Sequence, residues 1–413
     1  MNTTTNLIIY LGLILFLFGM YSCDDPVPDE VEDLYPQEQI PWPSLADTPW
    51  PMVRHDPQGT NRSSEVGTNS INGIEIVSSS KYFESYIVLS EEDGIIRLAT
   101  INDSTQLVYF SDPEGNGWNV TIDQAYETRS TPTLIQNNRI LVPGNESIYE
   151  IDLISHEVSN LYTSNGRLSN ISIGLLGELC FFTEDPIQLH SLDNDGTEMW
   201  SYTPSSTGVG LKSLVHSPDG EQLFFSTWTD ITCISRDGEV QWQYPLNGRG
   251  TIYIIVDNES NLYMYVKEEQ RIICVTAEGE LRWQSTLESL GLSEIKYMCG
   301  PTMDFKGNLY FTAKDSSGSY GMVSLNNEGS IRWFQNLRNS VDLLCDKDNK
   351  IYFGYTDWRT KYMGAISENG DLIWEFEISE VSGTLTFSPV ITHSGSLVYP
   401  LQNGDREHII RLF

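Results

Sequence analysis

Apolar and polar residues alternate along most of this chain in short runs, separated by Gly, Asn, Asp and Ser. That is the period-two signature of half-buried β-strands joined by turns. One run, Asp237-Gly238-Glu239-Val240-Gln241-Trp242, returns as Glu278-Gly279-Glu280-Leu281-Arg282-Trp283 and as Glu328-Gly329-Ser330-Ile331-Arg332-Trp333. It returns again as Asn369-Gly370-Asp371-Leu372-Ile373-Trp374, and earlier as Asp195-Gly196-Thr197-Glu198-Met199-Trp200. Each copy reads as a turn with Gly at a φ > 0 position, then a strand that ends on Trp. Alternation puts that Trp on the same strand face as the apolar residue two before it. Trp200, Trp242, Trp283, Trp333 and Trp374 are 42, 41, 50 and 41 residues apart. A near-constant period of this length with one hairpin signature per copy predicts the blades of a β-propeller.

A second phase of the pattern gives the blade count. A turn followed by a short apolar strand recurs between the Trp positions, as in Asn308-Leu309-Tyr310-Phe311-Thr312 and Lys350-Ile351-Tyr352-Phe353-Gly354. Its apolar anchors fall at 95, 140, 179, 223, 262, 309, 351 and 397, which makes eight copies. The last copy stops at Phe413, one strand short, while Gly73-Ile74-Glu75-Ile76-Val77 stands unpaired before the first. The pattern therefore predicts an all-β, eight-bladed β-propeller of four-stranded antiparallel blades, with the last blade closed by an N-terminal strand. Closure removes the sheet edges that would otherwise template aggregation. The longer step before Trp333 places insertions near Glu288–Glu294 and Asp315–Gly321, where a functional loop is expected.

The Gly-x-x-x-Trp strand ends, the Asp304 to Phe311 middle and the opening Trp50 to Ser63 resemble the PQQ-like β-propeller repeat proteins, over roughly residues 50–413. That family includes the lipoprotein of the outer-membrane β-barrel assembly machinery and the quinoprotein alcohol dehydrogenases. The resemblance implies eight blades, with Trp118, Trp200, Trp242, Trp283, Trp333 and Trp374 docking blade to blade. It also implies that Trp50, Arg54, His55 and Asp56 pack the opening segment against the ring. A quinoprotein of this family brings a calcium site, a catalytic Asp and often a Cys-Cys pair. Here there is no Cys-Cys and no match to the calcium ligands, so neither PQQ nor calcium is supported by a motif and no cofactor is expected.

Leu7 to Tyr21 is apolar and uncharged but short for a bilayer span. It reads as the core of a signal peptide, followed by Ser22-Cys23. This resembles a bacterial lipoprotein signal, with Cys23 the lipidated residue. Residues 24–49 follow with six acids in the first ten positions and recurrent Pro, a composition for an extended tether. The expected organisation is a signal peptide at 1–22, an acidic Pro-rich tether at 23–49 and a single propeller domain at 50–413. The expected location is the bacterial cell envelope, lipid-anchored at the outer membrane, facing the periplasm or the surface.

Charge and candidate chemistry narrow the function without naming it. With 57 acidic and 24 basic residues the formal charge is −33, which repels nucleic acid. The six histidines show no metal-ligand spacing, and His216 and His393 stand before turns, where turn hydrogen bonding explains them. Asp193-Asn-Asp195 and Asp346-Lys-Asp348 suit Asx turns better than calcium loops. Cysteines without a Cys-x-x-Cys pair read as buried thiols. No catalytic residue, cofactor site or metal ligand emerges. Trp228 and Trp358, off the repeated phase and at turns between second and third strands, are the candidate partner-binding residues. The sequence thus favours a non-enzymatic scaffold for a protein or glycan ligand. The alternatives are a propeller enzyme, quinoprotein or other, with its site in the central funnel, and a subunit of outer-membrane protein assembly machinery.

Overall fold

Each repeat folds as a four-stranded antiparallel sheet whose burial falls from inside to outside. In the fifth sheet the strands are Ile255–Val256, Leu262–Val266, Arg271–Val275 and Leu281–Thr286. The second and third are buried almost throughout, which is why they read as continuous apolar runs rather than alternation. The fourth alternates because one of its faces is solvated. In the computed structural model the described residues are 35–80, 86–102, 105–123, 131–204, 209–248, 253–296, 300–339, 341–357, 360–379, 383–385, 388–403 and 406–413. The signal peptide, Cys23, the first part of the tether and Trp358 lie outside them.

Eight such sheets form a ring, and blades are numbered here along the chain. Blade 8 uses Val390–Ile391, Leu397–Asn403 and Arg406–Leu412, and its fourth strand is the N-terminal Ile74–Ser80. The register runs from Ile74 opposite Leu412 to Ser80 opposite Glu407. The predicted closure holds. At the seam between blades 1 and 8, Arg97 meets Glu407 side by side, with Nη1–Oε2 at 2.6 Å and Nη2–Oε1 at 3.1 Å. Both residues are at most 1% exposed.

The hexads sit where neighbouring blades touch. Trp200, Trp242, Trp283 and Trp333 each donate the indole N–H to a turn carbonyl of the next blade: Arg236, Ala277, Asn327 and Glu368, at 2.7–2.8 Å. Trp374 donates instead to Thr68 at 3.1 Å, and Thr68 is in turn bonded to Gly395 of blade 8. Trp118 stacks on His156 at 4.3 Å. The turn Gly is needed here: Gly279 has φ +86°, and a Cβ on it would stand 2.6 Å from the Trp242 ring. The shared face expected for the Trp and the residue two before it does not hold. A β-bulge intervenes, as between Cys233 and Ile234, and shifts the register by one residue. Val240, Leu281, Ile331 and Leu372 are left 40–50% exposed while the Trp packs.

The longer step before Trp333 builds sheet. Leu292–Ile295 pairs with Leu309–Asp315 and lengthens blade 6, and Lys314 binds Glu294 across it at 2.5 Å. The tether expected to run to residue 49 is packed in its second half: Gln37, Trp42 and Leu45 are buried against the ring. Trp42 and Leu45 bring apolar area that a solvated spacer would not conceal.

Trp242→Ala is expected to lower stability by roughly 2–4 kcal/mol, less than for a fully buried ring. Gly279→Ala is expected to cost about 1–3 kcal/mol from φ alone. Because the two residues share one contact, the double variant should fall short of their sum in urea unfolding. At the seam, Arg97→Met should cost roughly 3–5 kcal/mol by stranding Glu407, and the pair Arg97→Met/Glu407→Met should recover most of it. A loss in the double variant as large as that of Arg97→Met alone would show that the ion pair itself holds the seam.

Candidate functional site: the axis of the ring

The first strand of each blade lies nearest the axis, and in most blades it is only two or three residues long and buried. Its axis-facing edge has no strand to pair with, so its backbone groups need partners of another kind. The chain supplies them from residues 50–63. Leu89 and Leu134 donate their amides to Trp50 and Pro51, His216 and Val256 to Pro57 and Gln58, Met303 and Cys345 to Thr60 and Asn61. A segment bonded to the first strands of six blades can only lie along the axis that they surround. Upstream, a strap from residue 37 crosses the turns between first and second strands: Gln37 binds Phe305, Trp42 Nε1 binds Ile173 and Ser44 binds Gly174.

The axial segment holds its shape by unusual backbone. Arg54, His55 and Asn61 have φ of 59°, 74° and 55°, a region that side chains disfavour. Asp56 compensates by accepting from the Thr60 amide at 2.9 Å and from its hydroxyl, and His55 packs edge-on against Trp50 at 4.9 Å. Trp50, Arg54, His55 and Asp56 are thus brought together, all 8% exposed or less.

Arg54 reaches a polar cluster at the end of the axis away from the strap. Its Nε donates to Gly59 at 2.9 Å, its Nη2 to Pro301, and its guanidinium lies 4.6 Å over the Tyr253 ring. Nη1 has no partner among the described residues. Tyr253 and Tyr86 hydroxyls are 2.9 Å apart, Tyr86 reaches Asp342 Oδ2 at 3.3 Å, and the Gly300 amide donates to Asp342 Oδ1 at 2.9 Å. Burial raises the Asp342 carboxyl above its ordinary range against the pull of Arg54, and burial raises the Tyr86 phenol. The group can hold a proton and offer hydrogen bonds. Sequence reasoning missed it, although a signal was present: a polar residue stands three positions before the axial strand residue in Tyr86-Ile-Val-Leu, Asn170-Ile-Ser-Ile, Tyr253-Ile-Ile-Val and Asp342-Leu-Leu-Cys.

The axial space between these residues is small. A cavity of about 30 Å³ is bounded by Arg54, Asp56, Asn170, Ser172 and Tyr253. That suits a water, whereas sites for drug-sized ligands run to roughly 300–1,000 Å³. A tricyclic quinone does not fit there, and among the described residues no group of three His, Cys, Asp or Glu could hold a metal ion.

The remaining candidates are scattered. Trp228 is 46% exposed at a turn of blade 4, on the far side of the ring from the strap. Cys180, Cys233, Cys274 and Cys345 are free and buried between sheets, and burial pushes the Cys180, Cys233 and Cys274 thiols up to about 12. Asp193 and Asp346 accept amides two and four residues on, as Asx turns do. His393 Nδ1 lies 3.0 Å from Glu65. His216 departs from its expected turn role. Its ring is buried against Trp42 at 5.8 Å, and Nε2 has no partner among the described residues.

The repeats and the ring define an eight-bladed β-propeller. Residues 229–401 match the family profile described as outer membrane protein assembly factor BamB. Among solved structures, a europium-containing methanol dehydrogenase is similar at 9% identity and a TM-score of 0.61, over 86% of this chain and 89% of that one. BamB from Moraxella catarrhalis is similar at 13% identity and a TM-score of 0.53, over 83% and 100%. At such identities the likeness is one of fold. A search of curated proteins finds no match.

Burial lowers the His216 pKa to about 3 from 6.5. The unfolded ring takes up its proton near 6.5 and the folded one only near 3, so acid favours the unfolded chain between them. Wild type should therefore lose stability relative to His216→Leu as pH falls from 6.5 towards 3, read by thermal unfolding at each pH. A constant difference across that window would place the ring in solvent.

Proposed function

We propose that this chain is a non-enzymatic cell-envelope lipoprotein, anchored through Cys23, whose propeller is a binding scaffold for a protein or glycan. The observation that carries the reading is the axial segment. Where propeller enzymes can use the axis as a funnel, residues 50–63 fill it and bond to six blades. Binding is then left to the rim and to the faces made by turns. The BamB-like repeats over residues 229–401 support a more specific form, a subunit of outer-membrane protein assembly machinery.

The test is co-purification of the intact chain from membranes, with Cys23→Ser as the unanchored control and a glycan array alongside. A specific partner or glycan, with the Cys23→Ser chain released from the membrane fraction, is the expected result. Recovery of nothing on either arm would sink the scaffold. Deletion that leaves outer-membrane protein levels unchanged would dispose of the assembly form. The cluster of Arg54, Tyr86, Tyr253 and Asp342 favours a second reading, a propeller enzyme with its acid in the funnel. Dye-linked alcohol oxidation after addition of PQQ and calcium separates the two, since turnover abolished by Asp342→Asn would replace the scaffold reading.

A further inference from the structure

The strap is flanked by two grooves on the face made by the turns between first and second and between third and fourth strands. The larger, about 460 Å³, lies between blades 1 and 2 and is bounded on one side by residues 45–48 of the strap. The smaller, about 270 Å³, lies across the strap between blades 2 and 3. They share Ile135, Gln136 and Asn137, so they form one continuous depression around the strap.

Its chemistry is two-sided. Phe110, Trp118, Leu134 and Leu153 make the larger groove apolar within. At its edge stands Ile154, 75% exposed, and at the edge of the smaller groove Leu176, 66% exposed. These are the two most exposed large hydrophobic residues among those described. Around the same larger groove stand Asp47, Glu91 and Glu92, all exposed, and among the described residues no Lys or Arg lines it; Arg139, at the smaller groove, is paired with Glu150 at 2.8 Å. Such a patch, apolar in the middle and acidic at the rim, is the form of an interaction site.

We infer that this depression docks a short basic and apolar segment of a partner protein. The inference rests on the scaffold reading and gives it a place. Apolar side chains of the segment fill the grooves beside Ile154 and Leu176, and its Lys or Arg side chains meet Asp47, Glu91 and Glu92. Charge decides against the other occupants. The chain's own residues 24–33, with six acids, would bring the same sign, as would nucleic acid or an anionic headgroup.

The test uses the purified chain and a synthetic Leu/Lys peptide, with a Leu/Glu peptide of the same pattern as control, followed by calorimetry and hydrogen exchange. Saturable binding of the Leu/Lys peptide alone is expected, with protection of amides in 44–48, 90–92 and 134–138. Glu91→Lys/Glu92→Lys and Ile154→Asp should each weaken it by roughly tenfold. The double reversal Asp237→Lys/Glu239→Lys, on the exposed turn of blade 4, should leave it unchanged. Equal weakening by both reversals would mean diffuse attraction to a −33 surface and would overturn the site. No saturable binding would also overturn it, as would wild type, but not Ile154→Asp, sedimenting with phosphatidylcholine vesicles. If Glu91→Lys/Glu92→Lys leaves membrane co-purification of a partner intact, the docking site falls while the scaffold reading stands.

Discussion

The inner edge of every blade leaves backbone amides facing the ring axis, and a buried amide without an acceptor is costly. Everything else in the fold answers to that constraint. Residues 50–63 lay carbonyls against the first strands of six blades, and the chain accepts left-handed backbone at Arg54, His55 and Asn61 to do so. Gly59 shows how close the fit is, since a Cβ there would stand 2.9 Å from the Ile254 carbonyl. The axial segment, though built of turns, is thus a backbone partner shared by six blades.

Blade contacts at the circumference are the second layer of the same arrangement. Each hexad Trp reaches forward to the next blade's turn, so the ring is tied at its outer radius as it is pinned at its axis. At the seam the repeat has no next hexad turn to offer, and the N-terminal segment takes its place. Trp374 binds Thr68, Ile74–Ser80 completes blade 8, and Arg97 and Glu407 meet in the buried interface with blade 1. Separating a buried pair of this kind strands a charge at high cost, so the joint is penalised whenever the two blades fail to meet.

The blades were legible because each writes its own turn. Asp, Asn, Ser or Thr opens the turn and Gly follows at positive φ, so local chemistry fixes hairpins that recur five times in Trp200 to Trp374. The bulge before each Trp was not legible, since it arises from packing on the next blade and no residue type demands it. The axial cluster was hidden for a different reason. Tyr86, Tyr253, Asp342 and Arg54 are up to 288 residues apart in sequence, and each alone resembles a strand-edge polar residue.

The sequence by itself determined the period, the count of eight blades and the need for an N-terminal strand to finish the ring, because these follow from turn chemistry and alternation within one repeat. Tertiary structure alone decided what occupies the axis, where the strap lies and which polar side chains converge there. Those outcomes depend on backbone edges of separate blades facing one another, and no local residue pattern records such a meeting. The grooves beside the strap belong to the same class: Glu91, Ile154 and Leu45 become neighbours only when the segment 37–49, which reads as a tether, lies down on the ring.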